Sequence, residues 1–394
     1  MSAKGPPAAD LLVVGAGTMG AWTAYHANRA GMRTVLVDAY GAGHPRATSG
    51  DETRIIRASH GDDRFLTRWS REARDEWIRL GEEWGERLFV ETGTLWFARR
   101  EDGFETSSIA TLEELSIPVE RLGLEDLRDR WPQVSGEELA FVVFEPEAGV
   151  LMARRGVGAL AGAFGRAGGR FELALVRPGR SKGRRLLDVA GADGVRIAAE
   201  AFVFACGPWL PGLFPEVLGH VIRVTKQDVF FVGPPSGDGR FAAEWLPSWV
   251  DYDRSFYGVP SVDGRGMKAA CDRYGQAFDP SIGERLVDPE SARLTRSYVA
   301  RRFPALADQP FVETRVCQYE STADTQFVID RHPEFENVWL VGGGSGHGFK
   351  HGPVIGRYVL ARLAGAATGP EEERFSLGRP RVPRAGLRTS ARLS

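Results

Sequence analysis

Leu11-Leu12-Val13-Val14-Gly15-Ala16-Gly17-Thr18-Met19-Gly20 is the stretch that decides how this chain folds. Four consecutive apolar residues predict a short strand buried on both faces. The spacing Gly15-x-Gly17-x-x-Gly20 predicts a tight turn, and the residues that follow read as a helix through Ala30, closed by Gly31. Thr34-Val35-Leu36-Val37 is a second strand and ends in Asp38. Strand, turn, helix, strand and acid in this order form a dinucleotide-binding βαβ unit. One glycine allows the turn, one lets pyrophosphate approach the backbone, and one lets helix and strand pack closely. The phosphates then lie at a positive helix N-terminus, beside Thr18 and Met19. Asp38 is placed to accept hydrogen bonds from an adenosine ribose.

A second glycine-rich stretch lies near the other end of the chain, Val341-Gly342-Gly343-Gly344-Ser345-Gly346-His347-Gly348-Phe349-Lys350. It follows the apolar run Val338-Trp339-Leu340-Val341 and precedes a helical segment over 352–364. Two backbone-exposing loops so far apart in sequence imply one long cofactor gripped at both ends. A nicotinamide dinucleotide ordinarily needs only the first loop. Flavin adenine dinucleotide (FAD), extended across a domain, suits both.

Bulk properties narrow the classes further. A chain of 394 residues exceeds one ordinary core and predicts two or three domain-sized units. With 43% hydrophobic and 26% charged residues it is an ordinary globular composition. A net charge of −2 offers no basic face for nucleic acid. Cys206, Cys271 and Cys317 make neither an even disulfide framework nor a CxxC metal pair, so no metal site is expected. Residues 1–10 carry one lysine and no apolar core of a secretory signal. No apolar run approaches the ~18 residues of a membrane span. A reducing, cytoplasmic setting is expected.

Between the two loops the pattern alternates. Thr53-Arg54-Ile55-Ile56-Arg57 reads as a strand, and 63–90 as an amphipathic helix with tryptophans at 69, 77 and 84. Short strands with an acidic helix fill 93–144, Glu145–Leu151 reads as a crossover, and 154–168 as a helix. Ala201–Ala205 is a strand ending in Cys206-Gly207-Pro208-Trp209, where Gly207 is a candidate cofactor contact. Residues 220–275 are β-rich and 289–303 helical. The expected α/β architecture is a discontinuous FAD-binding Rossmann-like domain over 1–90, 150–218 and 318–380. A second domain over 91–149 and 219–317 is built on a mixed, largely antiparallel β-sheet. The tail carries Arg379, Arg381, Arg384, Arg388 and Arg392 without an acid, and 381–394 is expected to be disordered.

Six stretches in sequence order carry a resemblance: GAGTMG, TRIIR at 53–57, FEPEAGVL at 144–151, FYGVPS at 256–261, Gly266-Met267-Lys268, and VCQY…FVIDRHP followed by GSGHGFK. With them the chain, from about Leu11 to Arg379, resembles the monomeric sarcosine oxidase and N-methyltryptophan oxidase group of flavoenzymes, within the D-amino-acid-oxidase-like superfamily. The resemblance implies a glutathione-reductase-type cofactor domain, a monomer, and a small amino-acid substrate oxidised with O2. It places Cys317 where the flavin 8α-methyl is attached through a thioether, and Lys268 where a lysine promotes reaction with oxygen. Arg57 and Lys350 match the pair that holds the substrate carboxylate. Arg54 lies beside the flavin, and Tyr257 and Tyr319 are pocket tyrosines. Gly15, Gly17, Gly20 and Asp38 hold the adenylate half of FAD, and Gly344, Ser345, Gly346 and Gly348 line its flavin half.

The implied roles are chemically coherent. A buried ammonium at Lys268 would stabilise negative charge as electrons pass to oxygen. Arg57 offers a rigid fork and Lys350 a point charge, together favouring an amino acid over a simple amine. Attachment at Cys317 needs a thiolate, hence a positive field nearby. His347 is a candidate base, although a histidine in such a loop more often only makes a structural hydrogen bond.

Two places depart from the family pattern. Asp272 stands where a histidine is common, four residues after the lysine, and Ser49-Gly50-Asp51-Glu52 replaces histidines before TRIIR. Asp272 shares a strand face with Lys268 and Ala270 and could pair with Lys268, orient it, or repel a substrate carboxylate. Asp51 and Glu52 could meet a cationic substrate group or lie outside the pocket. The expected activity is FAD-dependent oxidation of a secondary or N-methyl amino acid to an imine, releasing H2O2. The alternatives are a flavin dehydrogenase with another electron acceptor, and a flavin-binding protein without turnover.

Overall fold

The computed structural model describes residues 9–366, 369 and 371–382. The apolar run that opens the chain forms β1 (Ala9–Val14), followed by helix α1 (Thr18–Arg29) and strand β2 (Thr34–Asp38). β1 lies at the centre of an eight-stranded sheet, parallel to β2 on one side and to Arg196–Phe204 on the other. Arg170–Leu173 extends the sheet beyond β2, and Val338–Gly342 pairs in parallel with Arg196–Phe204. Its buried Val, Leu and Phe side chains form two cores, one on each face, as expected for a parallel sheet covered on both sides. The third strand is longer than the Ala201–Ala205 run predicted, because it begins in an antiparallel hairpin with Asp188–Gly191.

A second eight-stranded sheet runs in the order Phe311–Ser321, Arg223–Val232, Met267–Cys271, Phe256–Val259, Ser248–Asp251, Thr94–Ala98, Phe141–Glu145, Glu120–Leu122. All its pairings are antiparallel except Ser248–Asp251 with Thr94–Ala98. This is the mixed, largely antiparallel sheet that the sequence leads one to expect. A small third sheet joins β3 (Thr53–Ile56) to Gly149–Met152 and Phe89–Val90.

The segment read as a crossover at 145–151 is a tight connection by which the chain leaves the large sheet and enters the small one. Gly149 is required there, since a Cβ would lie 2.2 Å from the Val90 carbonyl oxygen. Helix α2 (Arg64–Trp84) is capped by the Asp63 side chain and stops at Gly85, whose φ of 65° ends it before residue 90. The boundaries expected at 149/150 and 317/318 both fall inside strands.

The basic tail begins later than its charge pattern suggests. Arg379 donates to Asp324 at 2.7 Å and to the Gln326 carbonyl oxygen at 3.0 Å, and Arg381 donates to carbonyl oxygens of the 376–377 turn. Arg384, Arg388 and Arg392 lie outside the described residues.

Candidate active site

One cavity of about 990 Å³ runs between the sheets. Its lining includes Gly15, Gly17, Thr18, Met19 and Asp38 from the βαβ unit, Arg54 and Arg57, Gly207, Tyr257, Cys317, Tyr319, and Gly344, Gly346, Gly348 and Lys350. Residues drawn from opposite ends of the sequence therefore share one enclosure.

The βαβ end is built as a cradle. Gly15 has φ +106°, and a Cβ there would lie 2.4 Å from the Ala205 oxygen; at Gly20 a Cβ would overlap the Gly15 oxygen. Gly20 is thus a packing glycine and does not line the cavity. Helix α1 follows Gly17, which supplies no side-chain cap; the Thr18 N–H donates to the Ser49 hydroxyl at 3.0 Å, and the positive dipole end of the helix faces the cavity. Asp38 accepts from the N–H groups of Ala16, Tyr40 and Gly41 at 2.7–2.8 Å, so it shapes the turn before it meets any ribose.

The second glycine loop adjoins the first instead of standing at the far end. Thr18 Oγ1 donates to the Phe349 carbonyl oxygen at 3.1 Å, and a Cβ at Gly348 would come within 2.9 Å of Met19 Cε. Ser345 is buried with φ +47°, donates to the Gly343 carbonyl oxygen and accepts from Thr322 N–H; it supports the loop from behind. The lining also takes in Ala174, Leu175 and Val176, which follow the strand paired with Asp38. The glycine-lined backbone and the uncompensated helix dipole of this cradle fit FAD.

Charge is concentrated around Asp51. Lys268 is fully buried on strand Met267–Cys271 and donates to Asp51 and, at 3.0 Å, to the Thr53 carbonyl oxygen. Arg54 donates to Asp51 at 2.8 Å and Arg315 approaches its other oxygen at 3.4 Å. Burial alone would raise the Asp51 carboxyl; the charges of Lys268 and Arg54 outweigh it and hold the group well below the usual range. Burial lowers the Lys268 ammonium, and Asp51 only partly restores it. Arg54 lines the cavity and Lys268 lies behind the lining; with Arg315 they surround the one Asp51 carboxylate. Glu52 is met by the same Arg315 at 3.1 Å and by Arg154 at 3.3 Å. The acids of the 49–52 stretch are therefore neutralised internally and do not await a cationic substrate.

Asp272 does not pair with Lys268. It lines the cavity and accepts from the Tyr319 hydroxyl at 2.8 Å. Tyr257, on the neighbouring strand, has its phenol pushed well up by burial, so it stays protonated. Cys317 Sγ lies 3.7 Å from the Arg54 guanidinium, the positive neighbour that thiolate chemistry requires. Burial raises the Cys206 and Cys271 thiols instead, as suits packing residues.

Arg57 follows β3, stacks 5.1 Å over Trp96 and donates to the Ser59 carbonyl oxygen. Buried Lys350 lies in the short helical turn Phe349–His351 that leads into helix Gly352–Leu363 and donates to the His347 carbonyl oxygen at 3.3 Å. His347 shares a hydrogen with the Thr325 carbonyl oxygen at 2.9 Å, in line with the structural reading of this residue. His60, His347 and His351 converge with ligand-capable atoms within 4.8 Å. Burial, followed by the charges of Arg57 and Lys350, holds His60 and His351 well below their ordinary range. With those cations beside them and no carboxylate in the group, a dication would meet repulsion, so the cluster reads as neutral packing.

Three contributors escaped the sequence reading. Glu145 receives N–H bonds from Ala58 at 2.8 Å and Trp96 Nε1 at 2.7 Å, fixing the turn that carries Arg57. Arg315 completes the Asp51 cluster. Glu320 is buried against the second glycine loop. The available signal for Glu145 was a charged residue ending an otherwise apolar strand; Glu320, on a strand that also carries Glu313 and Arg315, had none.

No helix among the described residues is long and apolar enough to cross a membrane. A family model for FAD dependent oxidoreductases matches residues 10–362. The chain is 30% identical to a monomeric sarcosine oxidase of a Bacillus species over 97% of its own length and 98% of that protein. It is 27% identical to human peroxisomal sarcosine oxidase, covering 89% of this chain and 90% of the relative. Identity to an N-methyl-L-tryptophan oxidase of Yersinia pestis is also 27%, covering 94% and 99%. Among solved structures, L-proline dehydrogenase from P. horikoshii superposes with a TM-score of 0.82 at 19% identity, covering 94% of this chain and 97% of that one. Amadoriase I of Aspergillus fumigatus superposes with a TM-score of 0.78 at 20% identity, covering 95% and 90%, which speaks for a shared fold alone. With the βαβ cradle, the second glycine loop and a family match spanning nearly all the described residues, the chain belongs to the FAD-dependent oxidoreductase family that includes the sarcosine and N-methyltryptophan oxidases.

Proposed function

We propose that this protein is an FAD-dependent oxidase of a secondary or N-methyl amino acid, converting its C–N bond to an imine and reducing O2 to H2O2. The observation that carries this reading is that Arg57 and Lys350 line the same cavity as Cys317, Tyr257 and Tyr319, which the FAD cradle enters from its other end. When bound, FAD supplies the hydride acceptor and the route of the electrons to oxygen.

The chain's own groups do the rest. Arg57 and Lys350 bind the substrate carboxylate and so set the α-carbon and nitrogen at a fixed distance from the ring. Tyr319, with its proton committed to Asp272, presents oxygen lone pairs suited to an N–H of the substrate. Lys268, Arg54 and Asp51 hold a net positive field beneath the pocket, which favours added negative charge during electron transfer. We propose Cys317, whose Sγ lies 3.7 Å from the Arg54 guanidinium, as the site of covalent flavin attachment.

The test is peroxide release in air from purified protein across sarcosine, other N-methyl amino acids, proline, pipecolate and glycine, paired with anaerobic bleaching of the flavin. Bleaching with peroxide supports the oxidase. Bleaching without peroxide assigns the dehydrogenase alternative, and a flavin that no member bleaches removes this substrate class.

A further inference from the structure

Glu320 is the penultimate residue of strand Phe311–Ser321, and its side chain lines the cavity between the two glycine loops. Oε1 accepts the Gly344 N–H at 3.4 Å and lies 4.0 Å from where a Cβ at Gly207 would stand. The Glu320 carbonyl oxygen accepts the Ser345 N–H at 2.9 Å. Oε2 is buried and has no hydrogen-bond partner among the described residues. No described lysine or arginine pairs with this carboxyl. An ionised carboxylate so placed would carry a desolvation cost that only the backbone N–H groups of Gly344 and Gly343 oppose, with no cation to offset it, so the balance shifts toward the neutral acid. Burial accordingly pushes the group up to about 7. A neutral carboxyl has an O–H to donate, and a buried polar group without a partner calls for one.

We propose that Glu320 is a cofactor-positioning residue whose protonated carboxyl donates a hydrogen bond to the hydroxylated chain joining the pyrophosphate and flavin halves of FAD. Its location selects that part of the cofactor. Gly15 and the start of α1 take the pyrophosphate, Gly344–Gly348 take the ring, and Glu320 lies beside Gly207 and Gly344, where the two loops meet across Met19. The dianionic pyrophosphate reinforces the arrangement, since negative charge nearby disfavours ionising the carboxyl further. Binding of FAD and protonation of Glu320 therefore promote each other. Above pH 7 the free protein must take up a proton on binding, and its affinity for FAD falls.

This inference rests on the cofactor and not on the oxidase reading. The experiment uses the full chain in a Cys317→Ser background, so that FAD exchange is reversible, and titrates FAD by flavin fluorescence from pH 5.5 to 9. The parent should lose affinity above pH 7, by up to tenfold per pH unit. Glu320→Gln keeps an N–H donor without a titrating proton, and should bind FAD with a flat profile. Glu320→Leu should bind about tenfold more weakly at pH 6. Identical pH profiles for parent and Glu320→Gln overturn the proposal, and need no result from the leucine variant should it fail to fold. Unweakened binding by a folded Glu320→Leu also overturns it, assigning Oε2 to water alone. A parent that binds no FAD at any pH sinks the cofactor reading itself.

Discussion

Asp51 shows how one carboxylate sets the electrostatics of a pocket. It offsets part of the cost that burial imposes on the Lys268 charge, and Arg54 and Arg315 meet the same carboxylate. Replacing Lys268 by Met leaves Asp51 paired with both arginines, so the fold should survive. Reoxidation of the reduced enzyme by O2, followed by stopped flow, should slow about 10²–10³-fold, the usual loss when one preorganised charge is removed. Anaerobic reduction by substrate should change little, and an equal loss in both halves would refute the assignment. In the proposed reaction Arg57 serves the substrate side. Arg57→Ala should raise the dissociation constant of an amino-acid substrate by at least about 30-fold, since it strands the carboxylate beside Lys350 alone. Binding of the corresponding amine without a carboxylate should be spared, and parallel weakening of both ligands would place Arg57 outside the substrate site.

At the level of elements, strand Phe256–Val259 holds Tyr257 and packs against the strand of Lys268 through Gly258. A Cβ at Gly258 would lie 2.2 Å from Trp249 Cζ2 and 2.3 Å from the Lys268 carbonyl oxygen. The second contact is backbone and cannot swing aside. Gly258→Ala should therefore destabilise the protein by about 1–3 kcal/mol in thermal unfolding and displace both site residues. A variant as stable as the parent would mean that this strand pair yields more easily than its packing implies. Glu145 supports a different element in the same way, so Glu145→Ala should cost about 1–3 kcal/mol and weaken substrate binding by loosening the turn after Arg57. These elements also mark what the sequence made legible. β1, α1 and β2 follow from spacing within thirty residues, whereas the strand carrying Lys268 ends at Cys271, one residue short of Asp272. The partner of each charged group was not legible, because it depends on register between distant strands. Lys268 meets Asp51 across 217 positions, and Asp272 meets Tyr319 across 47. Local pattern chooses the element, while tertiary packing chooses which acid meets which base.

For the whole molecule, the buried carboxyls and histidines pull stability in opposite directions as pH changes. His26 is lowered to about 4 by burial, so the unfolded chain binds the extra proton and stability falls as pH drops from 6.5. Glu105 and Glu320 are both raised to about 7, with burial as the main cause. For them the folded protein keeps a proton that the unfolded chain releases above its ordinary value of 4.5. Their contribution is complete below pH 4.5 and is lost as pH rises through about 7. The overall profile mixes these opposing slopes and identifies none of them. The difference between the parent and Glu320→Gln isolates one, because His26 and Glu105 are common to both. Between pH 5 and 7 the melting temperature of the parent should fall relative to the variant by roughly 1–2 °C per pH unit, from one proton per unit over a chain of this size. Calorimetry of both proteins across that range measures it directly. A constant difference would mean that Glu320 is already ionised in the folded protein, with a cation or ordered solvent meeting the charge that its apolar surroundings otherwise forbid.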